Sequence, residues 1–314
     1  MNILHAAILG LVEGITEYLP VSSTGHLIIT TNLLGLTSEQ NKAAIDAFEI
    51  VIQGGAILAV VGLYWPRFVQ MLRGLLGKDN AGFQLFLNIC IAFLPAAVIG
   101  KLFKKMINEH LFYAWPVVFA FIVGGVYMIV VEACRSGRWG RAARLPYHGA
   151  GKGVEEITPL DAIKIGFLQV IAMWPGTSRS MMTITGGYFC KLRPAAAAEF
   201  SFLLGVPTLL GATVLALWDD WKDHKSNGSP MFYTVLGAGP VLVGLVVAAI
   251  SAALAVKWLV GFLNRRGLAP FGVYRILLGI ALIGLILGGL VSIKPESKAA
   301  AVPSVPGAPL PSTR

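Results

Sequence analysis

The chain has 314 residues, of which 56% are hydrophobic and only 13% are charged. A soluble domain carries about 25% charged residues, so this composition excludes a soluble globular protein and indicates an integral membrane protein. The net charge of +9 does not indicate nucleic-acid binding. The basic residues are spread over loops between apolar runs, where the positive-inside bias of membrane proteins accounts for them.

The first apolar stretch, about 3 to 35, is interrupted by the turn Leu19–His26, with the sequence Leu-Pro-Val-Ser-Ser-Thr-Gly-His. Proline removes a backbone donor, and serine or threonine caps a following helix. The pattern therefore predicts a broken helix, and we interpret the stretch as a re-entrant helical hairpin that does not cross the membrane.

Glu13 and Glu17 precede this turn and lie four residues apart, hence on one helical face. Carboxylates inside a membrane are costly and usually functional. Two so close together should share a proton, a cation or a basic partner, and His26 is a candidate for that partner. The structural alternative is that both acids only hydrogen-bond the hairpin.

Further apolar runs are each close to the roughly 20 residues that cross a membrane. They predict six transmembrane helices, at about 43 to 64, 84 to 104, 112 to 134, 200 to 218, 231 to 256 and 271 to 293. The stretch at about 160 to 190 is interrupted by Trp174–Ser180, with the sequence Trp-Pro-Gly-Thr-Ser-Arg-Ser, and predicts a second re-entrant hairpin.

Arg179 lies inside this second turn, where a guanidinium needs an anion to compensate for its burial. Its planar fork suits phosphate oxygens, and the following helix adds backbone N–H groups. The turn and the helix after it supply further hydroxyl donors, namely Ser178, Ser180 and Thr183. These residues predict a phosphate site; the alternative is a structural arginine that pairs with Glu17 or Glu49.

A duplication is visible when Gly10–Glu13 is aligned with Gly166–Gln169, because a proline-serine turn then follows in both copies after one single-residue gap. The halves, about 1–134 and 160–293, each hold one hairpin and three spans. An odd number of spans makes the second copy inverted, and inverted repeats place a site near their shared axis. We therefore expect one membrane-embedded catalytic domain over 1–293, followed by a disordered Pro/Ala-rich tail at 294–314.

The loops at 65–83, 135–158 and 257–270 carry most of the basic residues and are predicted to be cytoplasmic. The three cysteines, Cys90, Cys134 and Cys190, are odd in number and are interpreted as packing residues. Three charged residues near the ends of spans are expected to snorkel towards the membrane surface, namely Glu132, Lys164 and Arg275.

The sequences Leu11–His26 and Pro175–Ser180 closely resemble the two signature motifs of the bacterial undecaprenyl-diphosphate phosphatases, also called the bacitracin-resistance family. The resemblance extends to Phe200–Leu204 and Pro270–Arg275. It implies hydrolysis of a polyprenyl diphosphate to the monophosphate carrier lipid of peptidoglycan synthesis, in the bacterial inner membrane, by a site that faces the periplasm.

The same resemblance implies a catalytic set of Glu13, Glu17, Ser23, His26, Ser178, Arg179 and Thr183. Glu13, with Glu17, is a candidate ligand of a divalent cation, Mg²⁺ or Ca²⁺. Either Ser23 or His26 would attack phosphorus, and the choice depends on whether Ser22 or Ser23 caps the helix that follows. Met181 departs from the family, which commonly has glycine there, and is expected to alter the fit of the lipid.

A secondary transporter or lipid flippase, with the carboxylates as proton sites, is the alternative that inverted repeats also suit. A structural scaffold is disfavoured because it gives no reason to bury Glu13, Glu17 and Arg179. The expected partners are the polyprenyl diphosphate, membrane lipid and, as a further option, a second copy of the chain.

Overall fold

A computed structural model of the protein describes residues 1–36, 42–111, 114–137, 151–227 and 231–290. Within these ranges the chain forms twelve α-helices, one short 3₁₀ helix and an isolated bridge between Lys152 and Leu192. The helices are α1 Ile3–Thr16, α2 Ser23–Leu33, α3 Lys42–Leu63, α4 Trp65–Leu75, α5 Asn80–Leu111, α6 Ala114–Ser136, α7 Pro159–Ile171, α8 Arg179–Phe189, α9 Pro194–Asn227, α10 Phe232–Leu236, α11 Ala238–Arg266 and α12 Ala269–Leu287. The all-α prediction is confirmed. The predicted tail at 294–314 lies outside the described residues.

Six helices of the described chain are long and apolar enough to cross a membrane, as predicted. They are Ala43–Leu63, Asn80–Phe103, Ala114–Ser136, Pro194–Ser226, Ala238–Arg266 and Ala269–Leu287. The largest shift of a boundary concerns the run at 231 to 256. Gly237 has a φ of 89° and separates the short α10 from α11, so the span begins seven residues later than its apolar run and continues to Arg266.

Both predicted breaks occur at the predicted turns. Helix α1 ends at Thr16 and α2 begins at Ser23; α7 ends at Ile171 and α8 begins at Arg179. Each second helix is preceded by a serine in a left-handed conformation, Ser22 with φ of 73° and Ser178 with φ of 79°. A non-glycine residue rarely adopts this conformation, so the two turns share an unusual backbone geometry.

Close helix contacts hold the bundle together at glycines. A methyl group at Gly10 of α1 would overlap the carbonyl oxygen of Gly244 in α11, and one at Gly125 of α6 would lie 2.6 Å from the carbonyl oxygen of Gly272 in α12. Small residues let membrane helices approach closely enough for backbone contact. These contacts fix α1 and α12, which carry candidate site residues.

Helix α4 occupies most of the loop predicted at 65–83. Its Arg67 forms ion pairs with Glu155, at 2.5 Å, and with Glu199 at the start of α9, at 2.6 Å. The sequence analysis predicted no helix here because the hydrophobic residues of α4 lie on one side and form no continuous apolar run. Arg67 thus connects α4 to the N-terminal part of α9, the helix that also contacts Arg179.

The expectation that Glu132 snorkels is wrong. Its side chain is buried, its carboxylate accepts a hydrogen bond from the backbone N–H of Leu268 at 3.0 Å, and Arg135 pairs with it at 2.5 Å. Glu132 therefore fixes the turn that starts α12. Among the three cysteines, which were predicted to be packing residues, Cys190 is buried and Cys90 and Cys134 are partly buried.

Candidate active site

The two turns meet inside the bundle. The Ser180 hydroxyl donates to the carbonyl oxygen of Leu19 at 2.8 Å, and an Arg179 Nη2 lies 3.3 Å from Glu17 Oε1. Residues about 160 positions apart in the chain are therefore in direct contact. This places the acid of the first turn and the guanidinium of the second in one site.

Ser23 forms a hydrogen bond with Glu17. Its hydroxyl donates to Glu17 Oε2 at 2.5 Å, within a buried environment. Ser22, not Ser23, occupies the N-cap position of α2, and its side chain forms no capping hydrogen bond. The Ser23 hydroxyl is consequently free of capping and is held by a carboxylate that can accept its proton, the arrangement of an activated nucleophile.

Arg179 is held from several sides. Its Nη1 donates to the carbonyl oxygen of Ser201 at 3.0 Å, and its guanidinium carbon lies 5.5 Å from the centre of the Tyr18 ring. Gly205 of α9 lies against the guanidinium. The alternative of a structural arginine predicted a pair with Glu17 or Glu49. The pair of Arg179 with Glu17 is present, whereas no pair with Glu49 forms within the described chain. Because the Nε of Arg179 is buried without a hydrogen-bond partner there, the guanidinium retains a donor for an anion.

The three hydroxyls predicted to bind phosphate all have protein partners. Ser178 accepts from the backbone N–H of Met181 at 3.3 Å and shares a hydrogen bond with Ser180 at 3.0 Å. Thr183 donates to the carbonyl oxygen of Arg179 at 2.9 Å and bonds the Ser201 hydroxyl at 2.6 Å. These bonds hold the second turn in place. A direct contact with phosphate, which stays a prediction, would require a hydroxyl to exchange its partner.

Glu13 is completely buried, and neither of its carboxylate oxygens has a hydrogen-bond partner within the described residues. The charges that act on it are those of Glu17, Glu49 and Arg179. Among the described residues no group of three histidine, cysteine, aspartate or glutamate side chains is arranged to hold a metal ion. Glu13 and Glu17 stay the predicted ligands of a cation.

His26 is not the partner of the acids, contrary to that expectation. Its Nδ1 lies 2.7 Å from the Ser22 carbonyl oxygen, its Nε2 lies 2.6 Å from the Tyr274 hydroxyl, and the rings of His26 and Tyr274 are stacked with centroids 5.7 Å apart. A carbonyl can only accept, so Nδ1 carries the proton in this network. Nε2 of the neutral ring then accepts from Tyr274.

The expectation that Arg275 snorkels is also wrong. Its side chain has no exposed surface, and its Nη2 donates to the carbonyl oxygens of Ala120, at 2.8 Å, and Gly176, at 2.6 Å. Met181, fully buried, approaches the same space beside Gly124 and therefore packs in the protein interior instead of facing lipid. The sequence feature that indicates a buried, functional Arg275 is its position within an apolar span.

Four more residues around the site were not identified from sequence. Tyr18, Ser201 and Gly205 surround Arg179, and Tyr274 bonds His26. Tyr18, Ser201 and Tyr274 lie within the motifs that carry the family resemblance, but their partners are remote in the chain, so their roles depend on the fold.

Comparison with known proteins gives a consistent result. Residues 6–281 match the family model described as bacitracin resistance protein BacA. A curated relative named undecaprenyl-diphosphatase, from Neisseria meningitidis serogroup C, is 42% identical over 92% of this chain and 97% of its own length. Others are the undecaprenyl-diphosphatase of Sorangium cellulosum, 46% identical over 89% of this chain and 85% of its own, and undecaprenyl-diphosphatase 2 of Rhodospirillum rubrum, 44% identical over 92% and 97%. The match covers both turns, five of the six long helices and the first part of α12, and the chain therefore belongs to the BacA family of bacitracin resistance proteins.

Proposed function

We propose that this protein hydrolyses undecaprenyl diphosphate to undecaprenyl phosphate and inorganic phosphate, and so recycles the lipid carrier of peptidoglycan synthesis. The relatives named undecaprenyl-diphosphatase support the substrate. The observation that carries the chemistry is the contact series Ser23–Glu17–Arg179, in which a hydroxyl, a carboxylate and a guanidinium are joined at the meeting point of the two turns.

Ser23 acts as the nucleophile in this proposal. Its oxygen forms a bond to the terminal phosphorus while Glu17 Oε2 takes the hydroxyl proton, and the bond from that phosphorus to the bridging oxygen breaks. Undecaprenyl phosphate leaves with the electron pair. Water then attacks the phosphoserine, releasing phosphate and restoring Ser23. Arg179 stabilises the phosphoryl oxygens in both steps.

A divalent cation, Mg²⁺ or Ca²⁺, fits the acidic side of the site. The unpartnered carboxylate oxygens of Glu13 are hard ligands of the kind that these ions bind, and Mg²⁺ commonly takes one or two carboxylates together with substrate phosphates. Glu13, with Glu17, would hold the ion. Its chemistry would be to neutralise charge on the diphosphate.

We further propose that α1–α2 and α7–α8 are re-entrant hairpins of an inverted repeat. Helices α1 and α7, of 14 and 13 residues, are about 20 Å long and too short for a hydrocarbon core of about 30 Å. Ser22 and Ser178, the two serines with positive φ, are separated by the same number of residues as Glu13 and Gln169. The two turns therefore align without the single-residue gap predicted from the sequence. The site would then lie within the bilayer, reached by the headgroup from the periplasmic side of the inner membrane while the polyprenyl tail stays in lipid.

Release of phosphate from a polyprenyl diphosphate by the detergent-purified chain tests the proposed activity. Wild-type protein should release phosphate, whereas the alternative of a pure transporter or flippase predicts none. Glu17→Gln and Arg179→Ala should each lower kcat/KM at least about 100-fold, the scale of a lost transition-state contact. Near-normal turnover by a folded Arg179→Ala variant would contradict the role of the guanidinium.

A further inference from the structure

Arg275 is a buried cation for which the described residues provide no counter-ion. It is the largest fully buried side chain, and its hydrogen-bond partners within the described chain are two backbone carbonyl oxygens, those of Ala120 and Gly176. Its Nε and Nη1 have no partner there. No carboxylate of the described residues forms an ion pair with it. The described part of the protein therefore leaves this positive charge unneutralised.

Such a charge is costly inside a membrane protein. Desolvation of an ion costs several kcal/mol when nothing compensates it, and membrane helices rarely carry one without a function. Hydrogen bonds to two carbonyl dipoles offset only a part of this cost. The surroundings of the Arg275 guanidinium indicate the anion that compensates its charge.

Arg275 lies between the two turns of the active site. On one side Nη2 holds the carbonyl of Gly176, two residues before Ser178 and three before Arg179. On the other side the guanidinium carbon lies 5.2 Å from the centre of the Phe121 ring. The same ring lies 6.1 Å from the His26 ring. The charge therefore contacts the second turn directly, and the Phe121 ring separates it from His26, the last residue of the first turn.

We propose that Arg275 is a positioning residue for the diphosphate: its unneutralised charge, fixed behind the second turn, attracts the substrate anion. The proposal rests on the proposed phosphatase function. Because Arg275 has no exposed surface, its charge acts across the Gly176 turn without touching the substrate. The cost of its burial in the free enzyme is then partly recovered when the anion binds, as expected for a preorganised site.

Charge and hydrogen bonding can be separated at this position. Arg275→Lys keeps the charge and an N–H donor, whereas Arg275→Gln keeps a donor and loses the charge. A charge that acts equally on bound substrate and transition state changes KM more than kcat. If Arg275 only supports the turn through hydrogen bonds, Lys and Gln should give equal KM values.

The experiment uses the full chain in detergent and measures three quantities: kcat and KM for a polyprenyl diphosphate, the inhibition constant of inorganic phosphate, and the melting temperature. We expect Arg275→Gln to raise KM and the phosphate inhibition constant at least about 10-fold with kcat reduced less than about 3-fold. Arg275→Lys should keep both constants within about 3-fold of wild type.

A second variant tests the same proposal if Arg275→Gln does not fold. A methyl group at Gly124 would lie 2.6 Å from Arg275 Nη2, so Gly124→Ala displaces the charge without removing it, and KM should rise at least about 3-fold. Gly284→Ala, at a position of α12 with no atom within 4 Å of the added methyl, is the control. Unchanged KM in folded Arg275→Gln or Gly124→Ala, or equal KM for Lys and Gln, overturns the proposal. Wild-type protein that releases no phosphate would instead overturn the proposed function.

Discussion

Gly205 of α9 determines where the Arg179 guanidinium can lie. A methyl group at this position would lie 2.7 Å from Nη1, 2.8 Å from Nη2 and 2.9 Å from the guanidinium carbon. Van der Waals contact needs roughly 3.4 Å or more, so Gly205→Ala has to move the guanidinium by roughly 0.7 Å away from α9. Glu17 and the Tyr18 ring lie around it, so the movement changes the geometry of the proposed phosphate contact of Arg179.

The expected loss follows from the contacts of Arg179. Moving away from α9 breaks or lengthens the bond from Nη1 to the Ser201 carbonyl oxygen, now 3.0 Å. A hydrogen bond of a charged group contributes about 1.5–3 kcal/mol, and a displacement near 1 Å can cost about 100-fold in rate. We expect Gly205→Ala to lower kcat/KM about 10- to 100-fold. Alanine favours a helix over glycine, so the melting temperature should not fall for that reason.

Phosphate release from a polyprenyl diphosphate measures the effect, and the same helix supplies the control. Gly211 has no atom within 4 Å of an added methyl group, so Gly211→Ala should retain wild-type kcat/KM. If folded Gly205→Ala keeps kcat/KM within about 2-fold of wild type, the position of the guanidinium does not limit catalysis, and the proposed role of Arg179 is contradicted.

Two further predictions concern the periphery and the topology. Burial alone would raise the pKa of Glu155, but hydrogen bonds and the charge of Arg67 outweigh burial and lower that pKa, so the Arg67–Glu155 pair stabilises the fold at neutral pH and loses this effect as the pH falls through the lowered pKa. Because the pair is partly exposed, Glu155→Gln should lower the melting temperature at pH 7 by up to about 2 °C. A variant whose melting temperature is as sensitive to acid as that of the wild type, or more so, would contradict this prediction. In a cysteine-free background, a membrane-impermeant thiol reagent added to intact cells should label Lys222→Cys at the end of α9 but not Lys78→Cys in the loop before α5, whereas the reverse pattern would invert the proposed orientation.

The sequence predicted the parts of the fold that depend on local chemistry. Apolar runs of the right length gave the six long helices, and proline followed by serine or threonine gave both breaks. The acids and Arg179 were identified because charged groups inside apolar segments are costly wherever they lie. None of these inferences needed a partner in space.

Residues whose roles depend on remote partners were missed. Arg275 is buried because Gly124 of α6 leaves room for its guanidinium and Ala120 offers a carbonyl, and nothing near Arg275 in the chain indicates either. The pairing of His26 with Tyr274 joins residues 248 positions apart. A resemblance to a family marks such residues as part of a motif, but only the fold shows what they contact.

The sequence leaves Ser23 and His26 as candidates for the nucleophile and favours Ser23, for which Glu17 and His26 are both possible bases. The contacts also favour Ser23. Its hydroxyl already donates to Glu17 Oε2, so one proton transfer activates it. The Nε2 of His26 is instead occupied by the Tyr274 hydroxyl, and its Nδ1 by the Ser22 carbonyl. An attack by His26 would first require Tyr274 to move away.

Acid quenching during turnover, followed by peptide mass spectrometry, distinguishes the two, because phosphoserine survives acid and phosphohistidine does not. We expect an acid-stable phosphoryl group on the peptide containing Ser23, absent in Ser23→Ala and retained in Ser22→Ala. The neighbouring serine is a matched control because its side chain forms no capping hydrogen bond. Tyr274→Phe frees Nε2 and should leave the phosphorylated residue unchanged. A parallel quench in alkali preserves phosphohistidine, and an acid-labile phosphoryl group that persists there in Ser23→Ala would refute the serine assignment and make His26 the nucleophile.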